Sequence, residues 1–406
     1  MALDPRRDLS VAGAVAPVDP PILVLNAGST GLKASLHGGL GAEGAEGGCL
    51  WRGQRRWAEL GKSDLGESGL GQAAFGESAL GGALAAWLDQ ALAPWCGAAQ
   101  PGNPGGGLAL VGHRVVHGGE RFTAPTLLDG PVLAALADLT PLAPLHNGPA
   151  LRLIHWAQRR WPALPQWACF DTAFHATLPP EARTYAIPAA WRQQGLRRYG
   201  FHGLNHQHLA EVVAERFGVV GPGGQLRLIS CHLGGGCSLC AIRGGRSIAT
   251  TMGFTPLEGL VMASRSGSVD PGLLLHQLRQ GLGVAELERA LQHEGGLLGL
   301  SELSGSMEQL RSAALPPPQG AGHAGAALAI AVFRRRLLEG IGAMAACLGG
   351  VDVIALSGGI GEHDGALRRE LAASLAWLGR FELLVVPADE EGVIARGCRR
   401  AAGGSL

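Results

Sequence analysis

The chain has 406 residues, enough for two hydrophobic cores, and its 33 basic and 33 acidic side chains leave no formal net charge. A chain without net charge has no overall attraction for nucleic acid or an anionic membrane, so we expect its partners to be small molecules. Its eight irregularly spaced cysteines do not indicate a disulfide framework, and its longest apolar stretch ends at Asp352, short of a membrane span, so we expect a soluble, cytoplasmic protein.

The first predicted element is a β-hairpin. Residues 1–20 contain an Arg pair and a short Ala/Val run flanked by acids, which we interpret as a disordered leader and not as a signal peptide. Residues 22–36, ILVLNAGSTGLKASL, then indicate two strands around a turn of small residues. The turn offers backbone amides, hydroxyls and the carboxamide of Asn26, with Lys33 just beyond it. These groups suit a phosphate or its metal ion.

The next predicted elements place polar groups where strands end. After a peripheral strand and a helix, a buried strand at 108–111 runs into GHRVVHGGE (112–120). Arg114 is therefore either a surface arginine or a clamp for an anion, and its His and Gly neighbours favour the clamp. A second strand, 166–170, ends at Asp171, and a charge is seldom placed there without a partner.

Several histidines lie in the predicted loops of this region. His146 precedes a helix predicted at 149–161 and could simply cap it. His202, between an aromatic residue and a glycine in RRYGFHG, is the better functional candidate. His206 and His208 follow on a predicted helix, where we expect them on a solvated face.

A second hairpin repeats the pattern of the first. Residues 226–242, LRLISCHLGGGCSLCAI, indicate two strands joined by three glycines, followed by a third strand at 246–251. Glycine lets ligand oxygens approach backbone amides, so such a turn can cradle phosphate, although a plain tight turn is the simpler interpretation. The cysteines of this hairpin suit its packing and lack the spacing of a zinc site. Two such hairpins in one chain predict duplicated domains with a phosphate held between their turns.

The last third supplies further candidate groups. A polar stretch at 255–271 contains Arg265, which could be a second clamp from the other half of the chain. After two helices, a loop at 304–308 and a long helix at 321–348, residues 352–362 predict a strand, a Gly-rich turn and a helix. Glu391 is a candidate metal carboxylate, although three acids in a row usually form a solvated surface. The glycine turns, the two arginines, Asp171 and the loop histidines together suit phosphoryl transfer by positioning and charge neutralisation, without covalent catalysis.

The motifs resemble those of the acetate kinases from residue 22 to residue 396. The resemblance rests on LNAGSTGLK (25–33), GHRVVHGGE (112–120), PLHN (144–147), FDTAFH (170–175), RYGFHG (198–203), HLGGGCS (232–238), TPLEGL (255–260), SRSG (264–267), SGGIGE (357–362) and GVIARG (392–397). It implies an α/β fold of two duplicated actin-like (ribonuclease H-like) domains, with mixed sheets flanked by helices and an active site in the interdomain cleft. Domain I would span 21–174 and be closed by 394–406. Domain II, 175–393, would bind the nucleotide and form a homodimer.

The resemblance also implies a reaction and a role for each matching residue. The reaction is reversible transfer of the ATP γ-phosphoryl to acetate with Mg²⁺, or Mn²⁺ in its place, to give acetyl phosphate. The implied catalytic residues are Arg114, Asp171, His202 and Arg265; the acyl pocket is Arg114, Val116, Leu145, Phe201 and Pro256; and the metal site is Asn26 and Glu391. The implied nucleotide contacts are Lys33, His232, Gly234, Gly235, Gly236, Ser306, Met307, Glu308, Gly358, Gly359, Ile360, Gly361 and His363, and His146 would support the site.

Five positions depart from the family pattern, and all concern the phosphoryl donor. They are Gly31, Gly235, Ser306, Glu308 and His363, whereas the acyl side matches throughout. A changed donor site predicts weaker ATP binding and more even competition from other nucleotides or pyrophosphate, unless neighbouring side chains replace the missing contacts. The same residues are compatible with a propionate- or butyrate-type acyl kinase, and the fold is compatible with a non-catalytic nucleotide-responsive module.

Overall fold

The computed structural model describes residues 20–28, 31–39, 48–57, 79–96, 107–221, 224–315 and 322–403. The leader predicted at 1–20 lies outside the described residues except for its last residue, as do the two hydroxyl residues of the first turn. The strands are β1 Ile22–Ala27, β2 Gly31–His37, β3 Cys49–Arg56, β4 Leu110–Val115, β5 Thr126–Leu127, β6 Gln166–Phe170, β7 Val220–Gly221, β8 Gly224–Gln225, β9 Arg227–Leu233, β10 Cys237–Arg243, β11 Arg246–Thr250, β12 Val353–Ser357 and β13 Glu382–Val385.

Helices surround these strands. The α-helices are α1 Ala79–Cys96, α2 Gly130–Asp138, α3 Pro144–Arg160, α4 Pro180–Arg183, α5 Ala189–Arg192, α6 Gly203–Phe217, α7 Pro271–Arg279, α8 Val284–Arg289, α9 Gly296–Ser301, α10 Met307–Ala314, α11 Ala324–Leu348, α12 Gly358–His363, α13 Gly365–Ser374 and α14 Glu390–Gly403. Short 3₁₀ helices occur at Thr140–Leu142, Ala173–Thr177 and Ala376–Leu378, and a π-helical turn at Ala290–Glu294 follows α8. Within the described part of the chain, no helix is both long and apolar enough to cross a membrane.

The two large sheets share one five-stranded topology, and the first has β5 as an additional edge strand antiparallel to β6. The first has the strand order β3-β2-β1-β4-β6-β5 and the second β11-β10-β9-β12-β13. In each, a meander of three antiparallel strands is followed by two parallel strands: β4 and β6 in the first, β12 and β13 in the second. Both predicted hairpins and the duplication are therefore confirmed. Parallel strands direct their carboxyl ends to one edge of a sheet, which is where ligands bind in such folds.

Helices cover both faces of the first sheet, including one from the far end of the chain. Leu23, Leu25 and Val111 pack towards α1 and α3, whereas Ile22 and Val24 pack against Val393, Ile394 and Cys398 of α14. The C-terminal helix thus belongs to the core of the first sheet. The exact domain limits, 21–174 and 175–393, stay a prediction.

Three local predictions are wrong in an informative way. The strand predicted at 108–111 continues through Arg114, because β4 is paired on both sides by β1 and β6. His146 lies in the first turn of α3, which begins at Pro144 because proline is favourable at the first helical position. The loop predicted at 304–308 ends at Ser306, whose hydroxyl caps α10.

Candidate active site

One cavity of about 650 Å³ lies between the two sheets, at the ends of their central strands. Sixteen of the predicted site residues line it: Asn26, Lys33, Arg114, Val116, Asp171, Phe201, His202, His232, Gly234, Gly235, Gly236, Pro256, Arg265, Gly358, Gly359 and Glu391. His146 also borders it. Groups from both hairpin turns and both halves of the chain therefore meet around one space large enough for a small-molecule ligand.

Arg114 and Asp171 form a two-point ion pair at the floor of this cavity. Arg114 donates from Nε to Asp171 Oδ1 at 2.9 Å and from Nη2 to Oδ2 at 2.5 Å. Burial raises the pKa of Asp171 above its usual value, although the charge and the hydrogen bonds of Arg114 oppose that shift, and the guanidinium of Arg114 keeps its proton. The remaining N–H groups of Arg114 are held in one orientation, which suits binding of a planar anion.

Asn26 connects this ion pair to two glutamates at the start of α14. Its Oδ1 accepts from Arg114 Nη1 at 3.2 Å, and its Nδ2 donates to Glu391 Oε1 at 2.7 Å and to Glu390 Oε2 at 3.4 Å. Burial alone would raise the pKa of Glu390, but nearby positive charge, chiefly Arg114, outweighs it and keeps the pKa below its usual value. An ionised carboxylate therefore faces the cavity beside Asn26.

The RYGFHG segment fits tightly behind Asp171. The backbone N–H of Gly203 donates to the carbonyl of Asp171 at 2.8 Å, and a Cβ at Gly203 would approach that oxygen to within 2.1 Å. His202, just before α6, has the left-handed φ of 56°, which is unusual for a residue other than glycine. Such a conformation persists only where the surrounding structure imposes it, and it is common at functional sites.

The histidines around the cavity are neutral. The rings of His202 and His232 lie against each other, with centroids 4.2 Å apart. Burial lowers the pKa of His202 well below 6.5 and also lowers that of His232. Burial and the neighbouring Arg265 and Arg114 lower the pKa of His146 to about 3. These rings can donate or accept hydrogen bonds, but they do not add positive charge at neutral pH.

Arg265 is the second cavity guanidinium, and it comes from the other half of the chain. Its Nη1 donates to the Pro256 carbonyl at 3.1 Å. Among the described residues, no carboxylate lies within salt-bridge distance of Arg265, although burial lowers its pKa. A buried charge without a protein counter-charge favours an anionic ligand.

Two glycine positions differ in what they can accommodate. A Cβ at Gly31 would lie 2.3 Å from the Arg55 carbonyl of β3, so a residue with a hydroxyl side chain could not be placed there without moving that strand. At Gly235, by contrast, a Cβ would meet no atom within 4 Å, and its backbone does not have a positive φ. Gly31, which differs from the family pattern, is therefore required by the close contact with β3. Gly235, which also differs from that pattern, leaves open space where a side chain could fit.

The chain matches the model of the acetokinase family over residues 21–391. It belongs to this family. It is 46% identical over 364 residues to an acetate kinase from Synechococcus sp. (strain JA-2-3B'a(2-13)), a match that covers 88% of each chain. Its fold is similar to the crystal structure of Porphyromonas gingivalis acetate kinase, with a TM-score of 0.77, 28% identity and coverage of 95% of this chain and 100% of that one. A propionate kinase from Francisella tularensis gives a TM-score of 0.76 at 28% identity, covering 94% of this chain and 99% of that one.

These matches confirm the predicted family and the α/β fold of two duplicated units. They also make this acetokinase-family chain a phosphotransferase whose acceptor is a carboxyl group. A non-catalytic role has no support, since Arg114, Asp171, His202 and Arg265 meet in one cavity.

Some predicted nucleotide residues lie outside the cavity lining. Met307 is buried in the core of the second half, and Ser306 accepts from the backbone N–H of Gln309 as the cap of α10. Glu308, Ile360, Gly361 and His363 lie on α10 and α12 and do not line the cavity either. The side chain of Leu145 lies outside the described residues.

The structure adds cavity residues that the sequence reasoning missed. Glu390 is one, because a helix beginning at the acidic run turns this residue towards Asn26. Glu362 accepts from the backbone N–H groups of Gly358 and Ala388. It therefore connects the glycine-rich turn that follows β12 to the segment before α14. Arg52 and Gln54 also reach the cavity, from the edge strand β3. A helix start at Asp389 was the sequence signal that could have identified Glu390.

His206 also differs from its prediction. It is fully buried instead of lying on a solvated helix face, because its two ring nitrogens contact the hydroxyls of Ser230 and Ser238. A buried histidine with two partners is a satisfied polar group.

Proposed function

We propose that this chain catalyses reversible transfer of the γ-phosphoryl group of ATP to acetate, giving acetyl phosphate and ADP. The observation that carries the proposal is the pair of cavity guanidinium groups: Arg114 is oriented by Asp171, and Arg265 faces the same cavity without a described carboxylate partner. Two guanidinium groups from opposite halves of the chain can bind a carboxylate and a phosphoryl group and bring them together.

The acyl end of the cavity is small and apolar. Val116, Phe201 and Pro256 line it, and Leu145 is the further wall that the family resemblance implies. Such walls would contact the methyl group of acetate while the arginines bind its carboxylate. A pocket discriminates only weakly against one extra methylene, so propionate is the natural competitor, as the similarity to a propionate kinase suggests.

The transfer itself would be direct. Asp171 uses both carboxylate oxygens on Arg114, so its role would be to position that guanidinium and not to act as a nucleophile. His202 is neutral and would donate a hydrogen bond to the migrating phosphoryl group. Charge stabilisation and alignment account for most of the catalysis in reactions of this kind.

The described residues fit a magnesium ion that is shared with phosphate oxygens. No group of three or more His, Cys, Asp or Glu side chains in the described ranges could hold a metal by itself. Mg²⁺ usually takes one or two carboxylates, with water and substrate phosphates as its other ligands. Glu390 would supply such a carboxylate, while Glu391 and Asn26, which hydrogen-bond each other, would orient the site. The ion would neutralise charge on the phosphates; Mn²⁺ has similar ligand preferences.

The nucleotide would extend along the glycine turns. Gly234, Gly235, Gly236, Gly358 and Gly359 line the cavity beside Lys33 and His232, which suits a polyphosphate chain. Ser306, Met307, Glu308, Ile360, Gly361 and His363 stay predicted nucleoside contacts beyond this lining.

A homodimer in the cytoplasm completes the proposal. Helices α7 and α8 expose large apolar side chains, with Leu273 50%, Leu275 51% and Val284 74% accessible. Large apolar side chains exposed on two helices that contact each other are typical of an interaction surface, and both helices lie in predicted domain II. Sedimentation of the purified protein would test the proposed homodimer directly.

Substitution of the two arginines tests the proposed reaction. Arg114→Ala and Arg265→Ala should each lower kcat/KM by about 100-fold to 1,000-fold, since each removes a preorganised charge-stabilising donor. Arg227→Ala is the matched control, because Arg227 makes the same kind of two-point contact with Asp352, at 3.2 and 2.6 Å, but does not line the cavity. Acyl phosphate can be measured as the hydroxamate. Activity within a few-fold of the native enzyme in either cavity variant would refute the assignment.

A further inference from the structure

A hydrogen-bonded chain of three buried side chains, Ser230, His206 and Ser238, leads from the second sheet to His202. Ser230 Oγ on β9 lies 2.8 Å from His206 Nδ1, and His206 Nε2 lies 2.8 Å from Ser238 Oγ on β10. Ser238 Oγ in turn lies 2.9 Å from His202 Nδ1. Ser230, His206 and Ser238 are all completely buried, so each hydrogen in this chain needs an acceptor within the protein.

Each serine has one hydroxyl hydrogen and each neutral imidazole has one N–H, so the hydrogens of this chain can run in either of two directions. If both rings instead donated to Ser238, the Ser238 hydroxyl hydrogen would have no acceptor among its described partners, so that arrangement is unfavourable. In the first direction, Ser230 donates to His206 Nδ1, His206 Nε2–H donates to Ser238, and Ser238 donates to His202 Nδ1. Every internal hydrogen then has an acceptor. The N–H of His202 is left on Nε2.

The reverse direction leaves a hydrogen without an acceptor. His202 Nδ1–H would donate to Ser238, Ser238 to His206 Nε2, and His206 Nδ1–H to Ser230. The Ser230 hydroxyl would then need another acceptor, and within the described ranges its only hydrogen-bond partner is His206. A buried polar hydrogen without a partner is unfavourable, so the first direction is preferred.

The surroundings of His202 support a fixed neutral ring. Burial lowers the pKa values of both His202 and His206 well below 6.5, so neither ring gains a second N–H at neutral pH. The ring of His202 is held between His232, whose centroid is 4.2 Å away, and the backbone of Gly236, where a Cβ would lie 3.0 Å from its Nε2. The Nε2 edge therefore faces the glycine turn that lines the cavity.

We infer that Ser230, His206 and Ser238 are positioning residues that hold His202 in the tautomer with its hydrogen on Nε2, directed at the phosphoryl site. The catalytic consequence rests on the proposed function. A donor at Nε2 would stabilise charge on the phosphoryl oxygens, whereas the other tautomer would present a lone pair to them and repel them.

The tautomer can be measured without any activity assay. Long-range ¹H–¹⁵N NMR spectra of protein labelled at its histidine ring nitrogens distinguish the two tautomers. We expect the hydrogen on Nε2 in both His202 and His206 at pH 7, with His202→Gln and His206→Gln used to assign the signals. A hydrogen on Nδ1 of His202 in the native protein would overturn the inference whether or not the enzyme makes acetyl phosphate.

A substitution far from His202 tests whether the hydrogen-bonded chain of side chains sets the tautomer of His202. Ser230→Ala removes the first donor without touching His202, so a mixture of His202 tautomers should appear and kcat should fall by about tenfold or more. KM should change by less than about twofold. Ser230→Thr, which restores a hydroxyl, should recover both the tautomer and the turnover.

Ser247→Ala is the matched control. Ser247 is also completely buried and its hydroxyl lies 2.9 Å from a histidine nitrogen, Nδ1 of His175, but it has no hydrogen bond to the chain that ends at His202. Its loss should leave the His202 tautomer and kcat unchanged. Equal losses of kcat in Ser230→Ala and Ser247→Ala would refute the positioning role. If Ser230→Ala does not fold, the native spectrum alone decides. A native protein that shows the Nε2 tautomer but makes no acetyl phosphate would refute the proposed function and leave the tautomer assignment intact.

Discussion

Gly235→Asn should strengthen the use of ATP by this enzyme. Gly235 lies in the turn that lines the cavity, its carbonyl is fixed by the N–H of Ala263 at 3.1 Å, and a Cβ there would meet no atom within 4 Å. An asparagine side chain can therefore enter the cavity without moving the backbone, and its carboxamide can donate to a phosphate oxygen. A hydrogen bond to a charged group contributes about 1.5–3 kcal/mol, which corresponds to roughly a tenfold to hundredfold gain in kcat/KM for ATP.

The assay compares phosphoryl donors at saturating acetate. We expect native kcat/KM values for ATP, GTP, CTP and pyrophosphate to be closer to one another than in an enzyme with a specific nucleotide site, and Gly235→Asn to raise the values for nucleotides. Gly235→Leu is the size-matched control, because it fills the same space without a hydrogen bond. Strong ATP preference in the native enzyme, or equal effects of Asn and Leu, would show that neighbouring groups already replace the missing contact.

Three further outcomes follow from the site and its burial. His202→Ala should lower kcat more than it raises either KM, and a phosphoenzyme trapped at His202 would contradict direct transfer. Glu390→Gln should raise the Mg²⁺ concentration for half-maximal activity by about tenfold or more, and an unchanged requirement would remove Glu390 from the metal site. Burial lowers the pKa values of His113 and His175 to about 4, below the unfolded value, so the stability they contribute is present above pH 6.5 and is lost as the pH falls towards 4, by about 3 kcal/mol for each. Urea unfolding of the native protein and His113→Gln between pH 7 and pH 4.5 would measure this, and an equal pH dependence of the two would contradict it.

Much of the site was predictable because its residues follow buried strands. Asp171 and the glycine turns come directly after apolar runs, and the carboxyl ends of parallel strands lie at one edge of a sheet. For Arg114 only the predicted end of the strand was wrong. Arg114 lies within β4 because this strand is paired on both sides, by β1 and β6.

The remaining features depend on contacts between distant parts of the chain. Glu390 acquires its position because α14 packs on the first sheet, which is a contact between the two ends of the chain. His206 was expected on a solvated helix face, but Ser230 of β9 and Ser238 of β10 satisfy both nitrogens of its ring. Periodicity within a segment cannot report which partners a tertiary fold will supply.

The most direct test of the central claim is the product formed by the native protein from acetate, ATP and Mg²⁺. Acetyl phosphate trapped as its hydroxamate should appear in equal amounts with ADP, and acetyl phosphate with ADP should regenerate ATP in the reverse reaction. ATP hydrolysis to ADP and inorganic phosphate without hydroxamate formation, with propionate and butyrate equally inactive as acceptors, would contradict the account.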